Sequence, residues 1–295
     1  MRQSAWRWGP TRHKVKRLMA LEDYKRKRDF TKSPEPTGDE KHTPGKAPFF
    51  CVQKHLASHL HYDFRLEHNG VLLSWAVPKG PSLDPSIKRL AMHVEDHPVA
   101  YGSFEGVIPE GYGAGIVMLW DTGTWTPLVS DVDAALEKGD LKFSLDGYKL
   151  KGSWALVRTR GFGRNARNGS RDENDGRSWL LIKHRDEWSG DLDIATFAPL
   201  SVKSRQDLHE ILAEDTPAIW HSRPVVGGET GKLLKEVVER AAALKAERLE
   251  SKAPVRSAAS GRATEETAAT PSKKPAATRK ARTTKPAAKK VAKKR

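Results

Sequence analysis

From Phe49 to about Pro199 the chain is built of short apolar-rich runs, many of them alternating residue by residue, with turn residues between them. PFFCVQKH is apolar and rich in β-formers, and HLHYDFRLEHNGVLLSWAV reads as two alternating runs joined at Asn69-Gly70, a pair suited to a two-residue hairpin turn. Further strands are predicted over Leu90–Val94, Ile116–Asp121, Gly123–Thr126, Lys142–Leu145, Gly152–Arg158 and Trp179–His184. Many short strands separated by turns point to a barrel or a sandwich. Helical spacing is confined to the ends. One helix is predicted from about Lys14 to Lys27, after the break at Gly9-Pro10. Another is predicted over Gly231–Ser251, where Leu233, Leu234, Val237, Val238, Ala241 and Leu244 form a stripe expected to pack on the body. Ser33–Lys46, with three prolines and two glycines, should be a loop, and Phe162–Arg177 a polar one. The predicted organisation is a basic arm over 1–46, a β domain over 47–200, a helical extension over 201–250 and a tail over 251–295.

Charge changes this picture at the two ends. The 295-residue chain carries a formal charge of +15, with mean hydropathy −0.65. Residues 252–295 account for +12 and residues 1–46 for +7, so the body is mildly acidic at −4. The tail, almost wholly Lys, Arg, Ala, Pro and Thr, lacks anything to fill a core and is expected to be disordered. Such a polycation suits nucleic-acid phosphates, and the alternative is a solubilising tail. No apolar run is long enough to span a membrane and the first twenty residues lack a secretory h-region. The single cysteine, Cys51, cannot form an intramolecular disulfide. A cytoplasmic, nucleoid-associated protein is the expectation.

The densest polar cluster is Gln53-Lys54-His55 followed by His59, His61, Asp63, Arg65 and Glu67. Strand alternation places the last five on one face and Leu60, Tyr62, Phe64 and Leu66 on the other. The polar face then forms the wall of a barrel mouth or cleft. Two imidazoles and a carboxylate there suit a divalent ion with open positions, and Arg65 offers donors matched to phosphate. His55, six residues before His61, would need a bend or bulge to join them. The other reading is a solvated, histidine-rich strand face. A second cluster contains Lys79, Lys88, Arg89, His93, Glu95, Asp96, His97 and Tyr101. Alternation would set Arg89, Ala91, His93, Glu95 and His97 on one face. This cluster reads either as a phosphate and proton-transfer site or as a surface hairpin. Gly111–Gly115 lacks the spacing of a phosphate-binding loop and is expected to be a turn. Asp131/Asp133 and Asp191/Asp193 are read as loop acids.

The segment from Gln53 to Gly115, with Tyr24, KRDF and PEP upstream and WLLIKHRD downstream, resembles the 3′-phosphoesterase domain of bacterial DNA ligase D over roughly residues 20–200. That resemblance implies a mainly β fold, a compact β-barrel with flanking helices. It implies a manganese-dependent site (or one using another divalent transition metal) that trims DNA 3′ ends, removing 3′-phosphates and 3′-ribonucleosides during end joining. It places metal ligands at His55, His61 and Asp63, phosphate contacts at Arg65 and His97, a supporting tyrosine at Tyr101 and functional weight on Glu95. Lys79 and Arg89 fall where phosphate removal is served, and Arg28, Asp29 and Glu35 where ribonucleoside removal is. As proton donor to the leaving oxygen, His97 is the natural expectation. The chain departs from the family by a loop one residue shorter at Glu110–Gly113 and by His59 where arginine is common. It also shows no Lys-x-Asp-Gly nucleotidylation motif, so a free-standing form is expected. The expected partners are DNA 3′ ends of primer-template form, a separate ATP-dependent ligase and an end-binding protein. The rival functions are a non-catalytic DNA-end-binding module and a basic architectural protein.

Overall fold

The computed structural model describes residues 21–39, 47–159, 176–214 and 229–252. The predicted helix before residue 21, the end of the first loop, most of the polar loop at 162–177 and the tail from 253 lie outside the described residues. Ten strands alternate with short helices. They are α1 (Glu22–Arg26), β1 (Phe49–Leu56), β2 (Leu60–His68), β3 (Val71–Val77), β4 (Lys88–His93) and β5 (His97–Pro98), then a 3-10 turn (Val99–Ser103), β6 (Gly106–Ile108) and β7 (Gly115–Pro127). There follow α2 (Val132–Lys138), β8 (Asp140–Gly147), β9 (Lys151–Arg158), β10 (Ser178–Lys183), α3 (Ile194–Phe197), α4 (Leu208–Glu214) and α5 (Glu229–Lys252).

Strands pair antiparallel in the order β1-β2-β3-β4-β10-β9-β8-β7, and β7 returns to β1, closing an eight-stranded barrel. The two-stranded choice left by the pattern, barrel or sandwich, is thereby resolved, and the expected fold class holds. Closure removes the sheet edges that would otherwise expose unpaired backbone groups. Alternation fills the interior. Phe50 and Val52, Tyr62, Phe64 and Leu66, Leu73, Trp75 and Val77 all point inward, with Trp120, Trp125 and Trp154 among the fully buried aromatics. Asn69 (φ 51°) and Gly70 (φ 79°) make the expected two-residue turn, both in the left-handed region such a turn demands.

The runs at Ile116–Asp121 and Gly123–Thr126 form one 13-residue strand, not two. Gly123 joins them because it is squeezed between β1 and β8: a Cβ there would lie 2.1 Å from the Asp146 carbonyl oxygen. A β-bulge at Val52/Gln53 leaves Trp120 as the extra residue of β7. Asp131 and Asp193, read as loop acids, are the N-caps of α2 and α3, each accepting hydrogen bonds from backbone N–H groups. On α5 the predicted stripe buries Leu234, Val237 and Ala241 and packs beside α4, while Val238 is exposed. Among the described residues no helix is long and apolar enough to cross a membrane.

The opposite, outward parity of β1–β3 is not solvated. Residues 21–39 and the β5–3-10 segment cover it, and Leu21, Tyr24, Val71, Leu72 and Tyr101 form a second apolar cluster there. The polar wall is therefore a roofed cleft on the barrel's outside and not part of its mouth. The close approach at Gly123 makes a test of the barrel closure. Gly123→Ala should lower the unfolding free energy by about 1–3 kcal/mol, the usual range for overpacking, read as an earlier urea midpoint. A midpoint equal to wild type would contradict the register described here.

Candidate active site

Register builds the first part of the site. β1 and β2 are joined by a three-residue loop, Ala57–His59, and this sets His55 directly opposite His61. No bend is needed to bring them together, because the hairpin does it. Gln53 faces Asp63 two positions further on. The ring centroids of His55 and His61 are 4.8 Å apart. Nδ1 of His55 lies 3.6 Å from Asp63 Oδ2, and Nε2 of His61 lies 3.7 Å from Asp63 Oδ1.

The other nitrogen of each ring is fixed by a carbonyl. His55 Nε2 donates to Gly113 O at 3.0 Å, and His61 Nδ1 donates to His59 O at 2.9 Å. A carbonyl can only accept, so these nitrogens carry protons, and the nitrogens left to serve as ligands are the two that face Asp63. Burial also keeps His61 below the usual imidazole range, against the pull of Asp63. Burial opposes ionisation of Asp63 as well, but Arg65, then His61 and His55, hold its carboxyl well below the usual carboxylate range. Two imidazole nitrogens and a carboxylate, all within 4.8 Å of one another, fit a divalent cation by donor type and by their carbonyl-fixed orientation. His59, on the loop, is exposed and supplies only its carbonyl.

Arg65 is the hub. Its guanidinium is almost fully buried and donates from Nε to Gln53 Oε1 (2.8 Å), from Nη1 to Ser74 Oγ (2.8 Å) and from Nη2 to Asp63 Oδ2 (3.0 Å). These partners come from β1, β3 and β2, so one side chain ties three strands. Gln53 in turn donates to the carbonyls of Tyr101 and Phe104, and the Tyr101 ring stands 5.0 Å from the guanidinium carbon. Five N–H donors minus three engaged leaves Arg65 with two to offer.

A second buried guanidinium comes from the segment after α1. Arg28 donates from Nε to Glu35 Oε1 at 2.8 Å, from Nη1 to Glu95 Oε1 at 3.2 Å, and from Nη2 to His97 Nε2 at 3.1 Å. Lys27 pairs with the other oxygen of Glu95 at 3.0 Å. His97 gives its Nδ1 proton to Glu95 O at 2.9 Å. Burial, then Arg65 and Arg28, push the His97 imidazole well below the usual histidine range. The ring is thus neutral, and in this arrangement its Nε2 accepts from Arg28.

Other candidates fall elsewhere. Alternation does not hold from Arg89 to His97. β4 ends at His93, residues 94–96 cross over, and His97 pairs with Leu72 on the outward face. Arg89 shares the inward parity of Ala91, opposite Leu181. It lies near Asp193, with its Nε buried and without a hydrogen-bond partner among the described residues. Lys79 is exposed in the turn after β3. No described hydrogen bond or ion pair links either to the imidazole–carboxylate cluster. Asp29 is exposed and accepts from the N–H and hydroxyl of Thr31. Sequence reasoning missed Ser74 and the carbonyl of Gly113. Ser74 carried a signal, a lone hydroxyl in an otherwise apolar strand; Gly113 carried none beyond its turn.

This geometry coincides with a family match. Residues 53–158 match the family model described as the DNA Ligase D 3′-phosphoesterase domain. The barrel belongs to that family. Residues of the chain are 48% identical over 217 positions to the multifunctional non-homologous end joining protein LigD of Pseudomonas aeruginosa, covering 72% of this chain and 24% of that protein. Against the LigD protein of Mycobacterium bovis the identity is 46% over 142 positions, 48% of this chain and 18% of the other. For Mycolicibacterium smegmatis it is 42% over 147 positions, 48% of this chain and 19% of the other. The chain thus spans about a quarter or less of these relatives' length.

The depressed His97 sets a pH dependence. The unfolded chain takes up a proton near pH 6.5, which the folded domain refuses. Stability should therefore be fully present above that pH and fall on acidification, by up to about 1.4 kcal/mol per pH unit from this group. Urea melts at a series of pH values should show this slope, and His97→Gln should make it shallower. An unchanged slope in that variant would contradict a neutral buried His97.

Proposed function

We propose that the chain is a divalent-metal-dependent phosphoesterase acting on DNA 3′ ends, removing 3′-terminal phosphates and ribonucleosides to leave a 3′-hydroxyl for end joining. The observation that carries this reading is the pair of carbonyl-pinned imidazoles turned on Asp63 beside two buried guanidiniums. His55, His61 and Asp63 would hold the ion, manganese or another divalent transition metal. Bound there, such an ion would supply Lewis-acid charge withdrawal to a phosphate ester.

Charge balance supports an anionic substrate. Around the cleft Asp63, Glu35 and Glu95 are matched by Arg65, Arg28 and Lys27 in contact with them. These pairs cancel one another, so a divalent ion would make the site net positive, as a phosphate ester requires. Arg65 keeps two N–H groups for phosphate oxygens and is held rigid by its other three. Phosphoryl transfer depends mainly on such positioning and charge stabilisation. His97, with an accepting Nε2, is suited to take a proton or to orient one, and Tyr101 packs against its ring at 4.9 Å. Arg28 and Glu35, with Asp29 at the rim, are assigned to the 3′-ribonucleoside; Lys79 and Arg89 are assigned to the terminal phosphate on the family resemblance alone, since both lie outside the contacts of this cleft. Glu95 acts by holding Lys27 and Arg28. The relatives named for non-homologous end joining support a DNA end as the substrate; an ATP-dependent ligase and an end-binding protein are the partners we propose.

The test is incubation with manganese and a primer-template ending in one ribonucleotide or in a 3′-phosphate, followed by gel analysis of the 3′ terminus. Wild type should yield a 3′-hydroxyl from both. Asp63→Ala should abolish both, and Lys79→Ala should slow phosphate release by about a hundredfold, the scale of one lost charge-stabilising contact, while affecting nucleoside release less. Binding of ends without any conversion would show a non-catalytic end-binding module instead.

A further inference from the structure

The loop that pins His55 has a second face. Gly113, whose carbonyl receives the His55 proton, follows Tyr112, and Tyr112 is half exposed. Lys27 Nζ stands 4.8 Å from the centre of its ring and the Arg28 guanidinium carbon 5.5 Å. Both cations belong to the Glu95 network that reaches His97. The ring also borders a cleft of about 370 Å³, whose walls include Arg28, Lys32, Glu35 and Glu110. That volume is in the range of small-ligand sites. Arg28 is common to the cleft and to the His97 contact, so the cleft adjoins the network that reaches His97.

A half-exposed tyrosine beside two cations, at the rim of a polar cleft, is poorly explained as packing. Aromatic rings flanked by cations are the usual platforms for bases, because every base has a π-face and the cations match its phosphate. We propose that Tyr112 is the stacking platform for the leaving nucleoside, the residue beyond the ester that is cleaved, with Lys27 and Arg28 steadying the ring from the barrel side. Selectivity follows from position. A terminal 3′-phosphate has nothing beyond the scissile bond and cannot use Tyr112, whereas a 3′-nucleoside does. This inference rests on the proposed 3′-end activity.

Two measurements separate the inference from that reading. In the first, the ratio of kcat/KM for 3′-ribonucleoside release to kcat/KM for 3′-phosphate release is measured for wild type, Tyr112→Leu and Tyr112→Phe. Tyr112→Leu should lower the ratio about tenfold and Tyr112→Phe should restore it, since stacking needs the ring and not the hydroxyl. A ratio unchanged in Tyr112→Leu, or not restored by phenylalanine, overturns the proposal. Because both activities run through the same ligands, a disturbed Gly113 carbonyl would lower both together and leave the ratio alone, which also counts against it. In the second, a primer ending in 2-aminopurine riboside is bound in chelator, so that nothing is hydrolysed. Wild type should quench the terminal base more than Tyr112→Leu does, and equal fluorescence with the two proteins overturns the proposal. If wild type releases neither phosphate nor nucleoside, the proposed activity fails while the quenching comparison still decides the stacking.

Discussion

A charged guanidinium buried against a β-barrel has to be paired on nearly every side, and the arrangement around Arg65 follows from that. Its carboxylate partner is Asp63, its amide partner Gln53 and its hydroxyl partner Ser74, so the pairing consumes one polar residue from each of three adjacent strands. Removing one member of such a set leaves a desolvated charge, which typically costs 3–5 kcal/mol. The same pairing keeps Asp63 ionised and immobile, and an immobile carboxylate is what the two imidazoles need to face. Roof and floor are linked in the same way. Arg28 brings the segment after α1 down onto Glu95 and His97, and Tyr24 fills the space beneath with its ring 4.0 Å from that guanidinium.

The barrel sets where this chemistry can sit. Its interior is filled with tryptophan, phenylalanine and aliphatic side chains, and the site lies on the outside of the wall. Placing a polar face outside would ordinarily hydrate it. Here the N-terminal segment and the turn from His97 to Ser103 cover it, which lowers the local dielectric and shifts His97 toward its neutral form. Residues 21–39 of the arm are thus a wall of the site and not an appendage to it.

Much of this was legible from residues alone, and the limits have physical causes. Alternation separated Tyr62, Phe64 and Leu66 from His61, Asp63 and Arg65 correctly because β2 is unbroken over that span. It failed between Arg89 and His97 because a strand's period means nothing across the crossover at 94–96. Pairing of His55 with His61 depends on the length of a three-residue loop, which periodicity does not report. β5 and β6 are two and three residues long, too short for any pattern. Asp131 and Asp193 looked like paired acids in sequence, but a capping carboxylate is distinguished only by the N–H groups it meets. Arg28 and Glu35 had no local signal at all; they entered through family resemblance, and their burial together shows what long-range packing makes of two ordinary surface-type residues.

The central claim is that His55, His61 and Asp63 share one divalent cation. Anomalous diffraction from crystals of the full chain grown with manganese tests it most directly. The account predicts a single strong peak between His55 Nδ1, His61 Nε2 and the Asp63 carboxylate, with the other nitrogen of each ring still bonded to its carbonyl. A peak elsewhere, or none at that position with manganese in excess, would contradict it.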